Sequence, residues 1–100
     1  MARKPSGYRL SRAAEADLED IFAYTARTWS VRQAERYLDD LEAALTDLAA
    51  RRRIGHARPD VGADYLTLIV GSHLVIYRQA GGLWIARILH AAMDIPRHLP

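Results

Sequence analysis

The hydrophobic pattern of this chain changes period once. From residue 12 to about residue 50, apolar side chains recur every three or four positions; from Tyr65 onward they run in short blocks separated by glycines. Ala14, Leu18, Ile21, Thr25 and Thr28 keep helical spacing, which predicts an amphipathic helix over residues 12–28. Ser11 precedes it as an N-cap, with Glu15 and Asp17 near the positive end of the helix. Ser30 and Gln33 have the Ser-x-x-Gln form of a capping box, so a second helix begins after a very short turn. Its stripe is Ala34, Leu38, Leu41, Leu45 and Leu48. Arg51, Arg52 and Arg53 then complement the negative helix end, and Gly55 can supply a left-handed stop.

The remaining pattern is β. Residues 8–10 read as a short strand, residues 57–63 as a loop, and residues 65–70 and 73–78 as strands joined by Gly71-Ser72, a tight turn with Gly first. Residues 79–82 make a second turn before a last strand over residues 83–90. Asp94 followed by Pro96 has the form of a cap and first turn of a short terminal helix. The order β-α-α-β-β-β leaves two apolar helix stripes to be covered. An α+β architecture, with a helical hairpin packed on one face of an antiparallel sheet, buries both.

One hundred residues make a single domain, and residues 1–7 read as a flexible N-terminal arm. That arm is basic but lacks the apolar segment of a secretory signal, and no apolar run nears the ~20 residues of a membrane span. A cytoplasmic protein with no membrane contact is expected. The chain has no cysteine, which excludes disulfides, thiolate metal sites and thiol nucleophiles. Its four histidines, His56, His73, His90 and His98, have no ligand spacing, so neither metal nor cofactor is expected. No serine lies in a nucleophile elbow and no glycine cluster has phosphate-loop spacing. The net charge of +2 is modest, but its distribution is uneven. Glu35, Asp39, Asp40, Glu42 and Asp47 make the second helix acidic, and Arg51, Arg52, Arg53, His56 and Arg58 make the connection after it basic. Opposed patches of this kind suit a partner with complementary patches.

Candidate chemistry sits on the last strands. Arg87 alternates with Ile85 and Leu89 and is expected on one face with Arg78 and Tyr77, and His90 stands at the strand end beside Met93 and Asp94. Two readings are open. In one, Arg87 forms a structural salt bridge with an acid of the helical hairpin and His90 bonds Asp94. In the other, Arg78, Arg87 and His90 form a basic surface for nucleic acid or a target protein. Tyr24, Trp29 and Tyr37, on or beside the hairpin, and Trp84 on the last strand are core residues or, where they face outward, anchors for a partner helix. Arg51, Arg52 and Arg53 are either a solvated helix end that completes the dipole or a docking site for a partner's acids or for DNA.

An ordered series of short motifs adds a further line. Tyr8-Arg9-Leu10-Ser11, Leu18-x-x-Ile21, Tyr24-Thr25, Trp29, Gln33-Ala34, Tyr37, His73 to Arg78, and Arg87-Ile88-Leu89-His90 through Asp94 resemble the ParE-type toxins of the RelE/ParE superfamily. The resemblance covers nearly all of residues 8–98 and implies the same α+β fold. It also implies a non-catalytic toxin that binds DNA gyrase with its bound DNA and is neutralised by a ParD-like antitoxin in a hetero-oligomer. On that reading the target-binding candidates are Arg78, Arg87 and His90, and the antitoxin-binding candidates are Tyr24, Trp29, Tyr37, Arg51, Arg52 and Arg53. The alternative branch is a RelE-like ribosome-dependent mRNA endonuclease, which needs a base, an acid and cations at the scissile phosphate. Here Ala91 and Ala92 follow the last strand where such a ribonuclease usually carries basic residues, and the tail ends without a Tyr.

Overall fold

A computed structural model describes residues 7–92. Strand β1 (Tyr8–Leu10) leads into helices α1 (Arg12–Thr28) and α2 (Val31–Ala49). Strands β2 (His56–Ala57), β3 (Leu66–Val70), β4 (His73–Gln79) and β5 (Leu83–His90) follow. The sheet order is β1-β5-β4-β3-β2. The β3–β4–β5 meander is antiparallel as expected, and β1 adds a parallel pairing with β5, so the sheet is mixed.

Both helix starts are built as their local sequence predicts. Ser11 Oγ accepts from the Ala14 amide at 2.9 Å, and Ser30 Oγ accepts from the Gln33 amide at 3.0 Å. Ala34, Leu41, Leu45 and Leu48 are buried, and Leu38 is half-buried beside them. They meet Ala14 and Ile21 of α1 over Val75, Tyr77, Leu83, Ile85 and Ile88 of the sheet. A second, smaller core lies on the opposite sheet face, where Val61 and Tyr65 of the β2–β3 connection cover Leu74, Ile76, Ala86 and Leu89. Strand β4 is therefore buried on both faces. That is why residues 74–77 are an unbroken apolar run rather than an alternation.

Two local expectations change. Ala57, read as the start of a loop, pairs with Leu66, and His56 beside it pairs with Thr67, as a short edge strand. The left-handed residue that ends α2 is Arg51, at φ 61°, and not Gly55. Arg51 N–H donates to the Leu48 carbonyl at 3.2 Å and Arg52 N–H to the Asp47 carbonyl at 2.8 Å, the paired bonds of a Schellman stop. Gly55 has a different role. It is buried, its amide donates to Tyr77 Oη at 2.8 Å, and a Cβ there would collide with that oxygen and with the Thr67 carbonyl. The turn at Gly71 is as expected, with positive φ at the first of two loop residues. The proposed cap at Asp94 and most of the N-terminal arm lie outside the described residues.

An L-residue in the left-handed region costs about 1 kcal/mol relative to glycine. Arg51→Gly is therefore expected to raise unfolding stability by up to about 1 kcal/mol, less the added freedom of the unfolded chain. A chemical-denaturation midpoint that stays put or falls would refute this account of the α2 stop.

Candidate functional site

Strand β5 outruns its neighbour. Strand β1 pairs only with residues 83–85, which leaves the outer edge of β5 open as far as His90. Unpaired edge groups are costly when they are buried, and α1 supplies their partners. The Ser11 amide donates to the Ile85 carbonyl at 2.9 Å, and Ser11 Oγ donates to the Ala86 carbonyl at 2.7 Å. Two turns further along α1, Asp17 Oδ2 accepts from the Ile88 amide at 2.8 Å. The same carboxylate takes the Arg87 guanidinium in a two-point bond, Nε to Oδ2 and Nη2 to Oδ1, both at 2.8 Å.

The register explains how Arg87 reaches this position. Partners jump from Ile76↔Arg87 to Tyr77↔Ile85, leaving Ala86 as an unpaired bulge residue. Asp17 is only 8% exposed, an unusual place for a carboxylate unless it is paired and hydrogen-bonded. The hydrogen bond to Asp17 holds the Arg87 guanidinium protonated more firmly than usual, against a smaller opposing effect of burial. The salt bridge to an acid of the helical hairpin is the first of the two readings of Arg87.

Beside this pair a cleft of about 340 Å³ opens between α1 and the free edge of β5. Asp20, Ile21, Tyr24, His73, Arg87 and His90 are among its lining residues. His73 and His90 are cross-strand partners with ring centres 5.5 Å apart, edge to face. His90 is exposed, and its Nδ1 accepts from the Ala92 amide at 3.2 Å; Asp94, the partner expected from sequence, lies outside the described residues. His73 Nδ1 lies 2.6 Å from Tyr37 Oη. The same phenol oxygen accepts from the Ser72 amide at 3.0 Å and lies within bonding distance of the Val70 carbonyl at 3.2 Å. Tyr37 thus ties α2 to the β3–β4 turn. Burial, and next the neighbouring His90, push the His73 pKa below its ordinary 6.5, with Asp17 pulling weakly the other way.

The other sequence candidates scatter. Arg78 does not share a face with Tyr77, because adjacent strand residues point to opposite faces. Tyr77 is in the helix-side core, and Arg78 lies with Trp84 and Tyr65 on the far side, its guanidinium carbon 4.7 Å and 5.2 Å from their ring centres. Arg87 and His90 share the cleft; Arg78 is not among its lining residues. Tyr24 and Trp29 are 60% and 67% exposed on the hairpin, whereas Tyr37 is half-buried with its hydroxyl engaged. Arg52 pairs with Asp47 at 2.8 Å, and Arg51 and Arg53 are exposed beside it.

Sequence reasoning missed Asp17 and His73 as parts of this region. The signal for Asp17 was present: it interrupts the buried stripe between Ala14 and Ile21, where an acid needs a cationic or amide partner. Among the described residues no group of three or more His, Cys, Asp or Glu could hold a metal ion, and no helix is long and apolar enough to cross a membrane.

Comparison with known proteins places this arrangement. Residues 8–95 match the family model of the ParE toxin of the type II toxin–antitoxin system, parDE. Toxin ParE1 of Mycobacterium tuberculosis is 43% identical over 96 residues, spanning 94% of this chain and 98% of the relative. The chain belongs to the ParE toxin family. Toxin ParE1 of Caulobacter vibrioides is 39% identical over 92 residues, spanning 92% and 96% of the two chains. A solved chain of the chromosomal ParDE system of Pseudomonas aeruginosa shares the fold, with TM-score 0.72, 22% identity and coverage of 84% of this chain and 94% of its own. The protein is thus a ParE-type toxin of a type II toxin–antitoxin system, and an antitoxin partner follows from that membership.

Two expectations follow for this ParE toxin. Asp17→Ala removes the two-point acceptor of the half-buried Arg87 guanidinium and the acceptor of the Ile88 amide, and should cost about 1–3 kcal/mol. Asp17→Ala combined with Arg87→Leu should recover part of that loss, because the guanidinium that lost its two-point acceptor is then removed as well. A double-mutant cycle in urea with no coupling would refute the assignment. Burial and the neighbouring His90 hold the folded-state pKa of His73 below 6.5, so between that lowered value and about pH 6.5 the unfolded chain binds more protons than the folded one. Stability should be full above that pH and decline as pH falls toward the lowered folded value. Denaturation at pH 7.5 and pH 5 should show a smaller difference for His73→Gln than for the unmodified chain; equal differences would remove His73 as the source.

Proposed function

We propose that this ParE-type toxin arrests growth by binding DNA gyrase with its bound DNA, without catalysis of its own, and that a ParD-like antitoxin neutralises it. The observation that carries the reading is the state of Arg87 in a chain of this family. A RelE-like ribonuclease needs free cations at the scissile phosphate. Here the best-placed cation of the last strand is held at two points by Asp17 and serves the fold. A binding toxin needs no such group.

The helical hairpin supports the second half of the reading. Tyr24, Trp29 and Val31 expose large apolar side chains along the end of α1 and the start of α2. Exposed aromatic groups of this kind bury much area at little conformational cost when an amphipathic partner segment folds over them. Exposed acids of α2, including Glu35, Asp39 and Glu42, favour a basic flank on that segment.

The decisive experiment is a supercoiling and DNA-cleavage assay with purified gyrase, adding the toxin with and without its antitoxin. Loss of supercoiling with accumulated cleaved DNA, reversed by antitoxin, is the expected result. Unchanged gyrase activity, together with mRNA cleavage on programmed ribosomes that Arg87→Gln abolishes, would replace this reading with the ribonuclease one.

A further inference from the structure

On the face opposite the helices, the register assembles a row that its sequence positions do not suggest. Arg9 of β1 pairs with Trp84 of β5, and Trp84 pairs with Arg78 of β4. Register partners on adjacent strands project to the same face. Two arginines therefore flank one indole across three strands, with Tyr65 next to Arg78. Two inter-strand spacings separate the Arg9 and Arg78 backbones by roughly 10 Å.

The chemistry of this row is that of an anion site. Arg9 and Arg78 are both exposed, and among the described residues neither is paired with a carboxylate. Stacking on Trp84 and Tyr65 limits the freedom of the Arg78 side chain while leaving the N–H edge of its planar fork able to donate. A groove of about 290 Å³ adjoins the row, lined by Arg9, Trp84 and the Gly81–Gly82 turn among others, with no acid in its lining. The acids of the connection over this face are Asp60, which is bound to Arg58, and Asp64 beside Tyr65.

We infer that Arg9, Trp84 and Arg78 form a contact surface for the phosphodiester backbone of nucleic acid. A chain of regularly spaced diesters can offer an anion to each arginine at once and a sugar or base to the indole, whereas a lone carboxylate reaches one arginine. Arginine's fork suits a phosphate, and aromatic groups between cations are the arrangement that holds single strands. This goes beyond gyrase as the target, because the toxin would touch DNA itself.

The test uses the purified full chain, a fluorescein-labelled oligonucleotide of about twenty nucleotides in single-stranded or duplex form, and anisotropy between about 50 and 200 mM salt. No gyrase is present, so failure here and failure of the gyrase reading are separable. The double variant Arg9→Gln/Arg78→Gln should bind at least tenfold more weakly at low salt. Removing two phosphate contacts should also flatten the salt slope by about 1.4 for single strands or about 1.8 for duplex. Arg78→Lys, which keeps the charge and loses the fork and the stack, should weaken binding by several-fold with an unchanged thermal midpoint. Unaltered affinity in the double variant would overturn the inference. So would equal competition by polyglutamate of the same charge, or loss of binding only when Arg51, Arg52 and Arg53 are reversed.

Discussion

Strand β5 continues past the last residue that β1 can pair, and the Asp17 carboxylate takes over at that point. One side chain closes an open backbone amide, neutralises a half-buried guanidinium and fixes α1 against the sheet. Asp17 is in turn what offsets much of the desolvation of the Arg87 charge beside Ile21 and Ile88. The bulge at Ala86 belongs to the same device, since it shifts the register of β5 just before Arg87.

From that anchor the rest of the fold divides into two faces. The helix side carries the larger core and, at its margin, the cleft between α1 and β5. The far side carries the small core closed by Val61 and Tyr65, and next to it the arginine–indole row. The central strands serve both, and Tyr77 and Tyr37 pin the two connections that could otherwise move: Tyr77 holds Gly55 ahead of β2, and Tyr37 holds the turn at Ser72. With Tyr37 engaged in this way, the exposed aromatic groups left to a partner on the hairpin are Tyr24 and Trp29.

This division separates two kinds of association. The helical hairpin offers apolar area bounded by acids, suited to a segment that folds as it binds. The far face offers preset cations, suited to a polyanion. They lie on opposite sides of a thin molecule, so an antitoxin on one does not of itself cover the other.

Helix starts, the α2 stripe and the Gly71 turn were legible in sequence because each depends on residues within four positions of one another. The α+β class followed from them, since two amphipathic helices and a set of apolar strands have few ways to hide their faces. The ParE likeness was legible too, because it rests on the order of motifs along the chain. The Arg51 stop was not: glycine is the better residue there, and only the Schellman bonds of the folded chain show that arginine bears the strain. The site was decided by tertiary structure. Asp17 and Arg87 are 70 positions apart, and Ser11 and Ala86 are 75 apart. Sequence could say that a buried acid and a strand arginine each needed a partner, but not that they were one another's. Nor could it place Arg9 beside Trp84, since a parallel pairing between the first and last strands is set by how the helical hairpin packs. Local propensity acts over a few residues, and the pairing of distant charges and strands is chosen by the burial that the whole chain achieves at once.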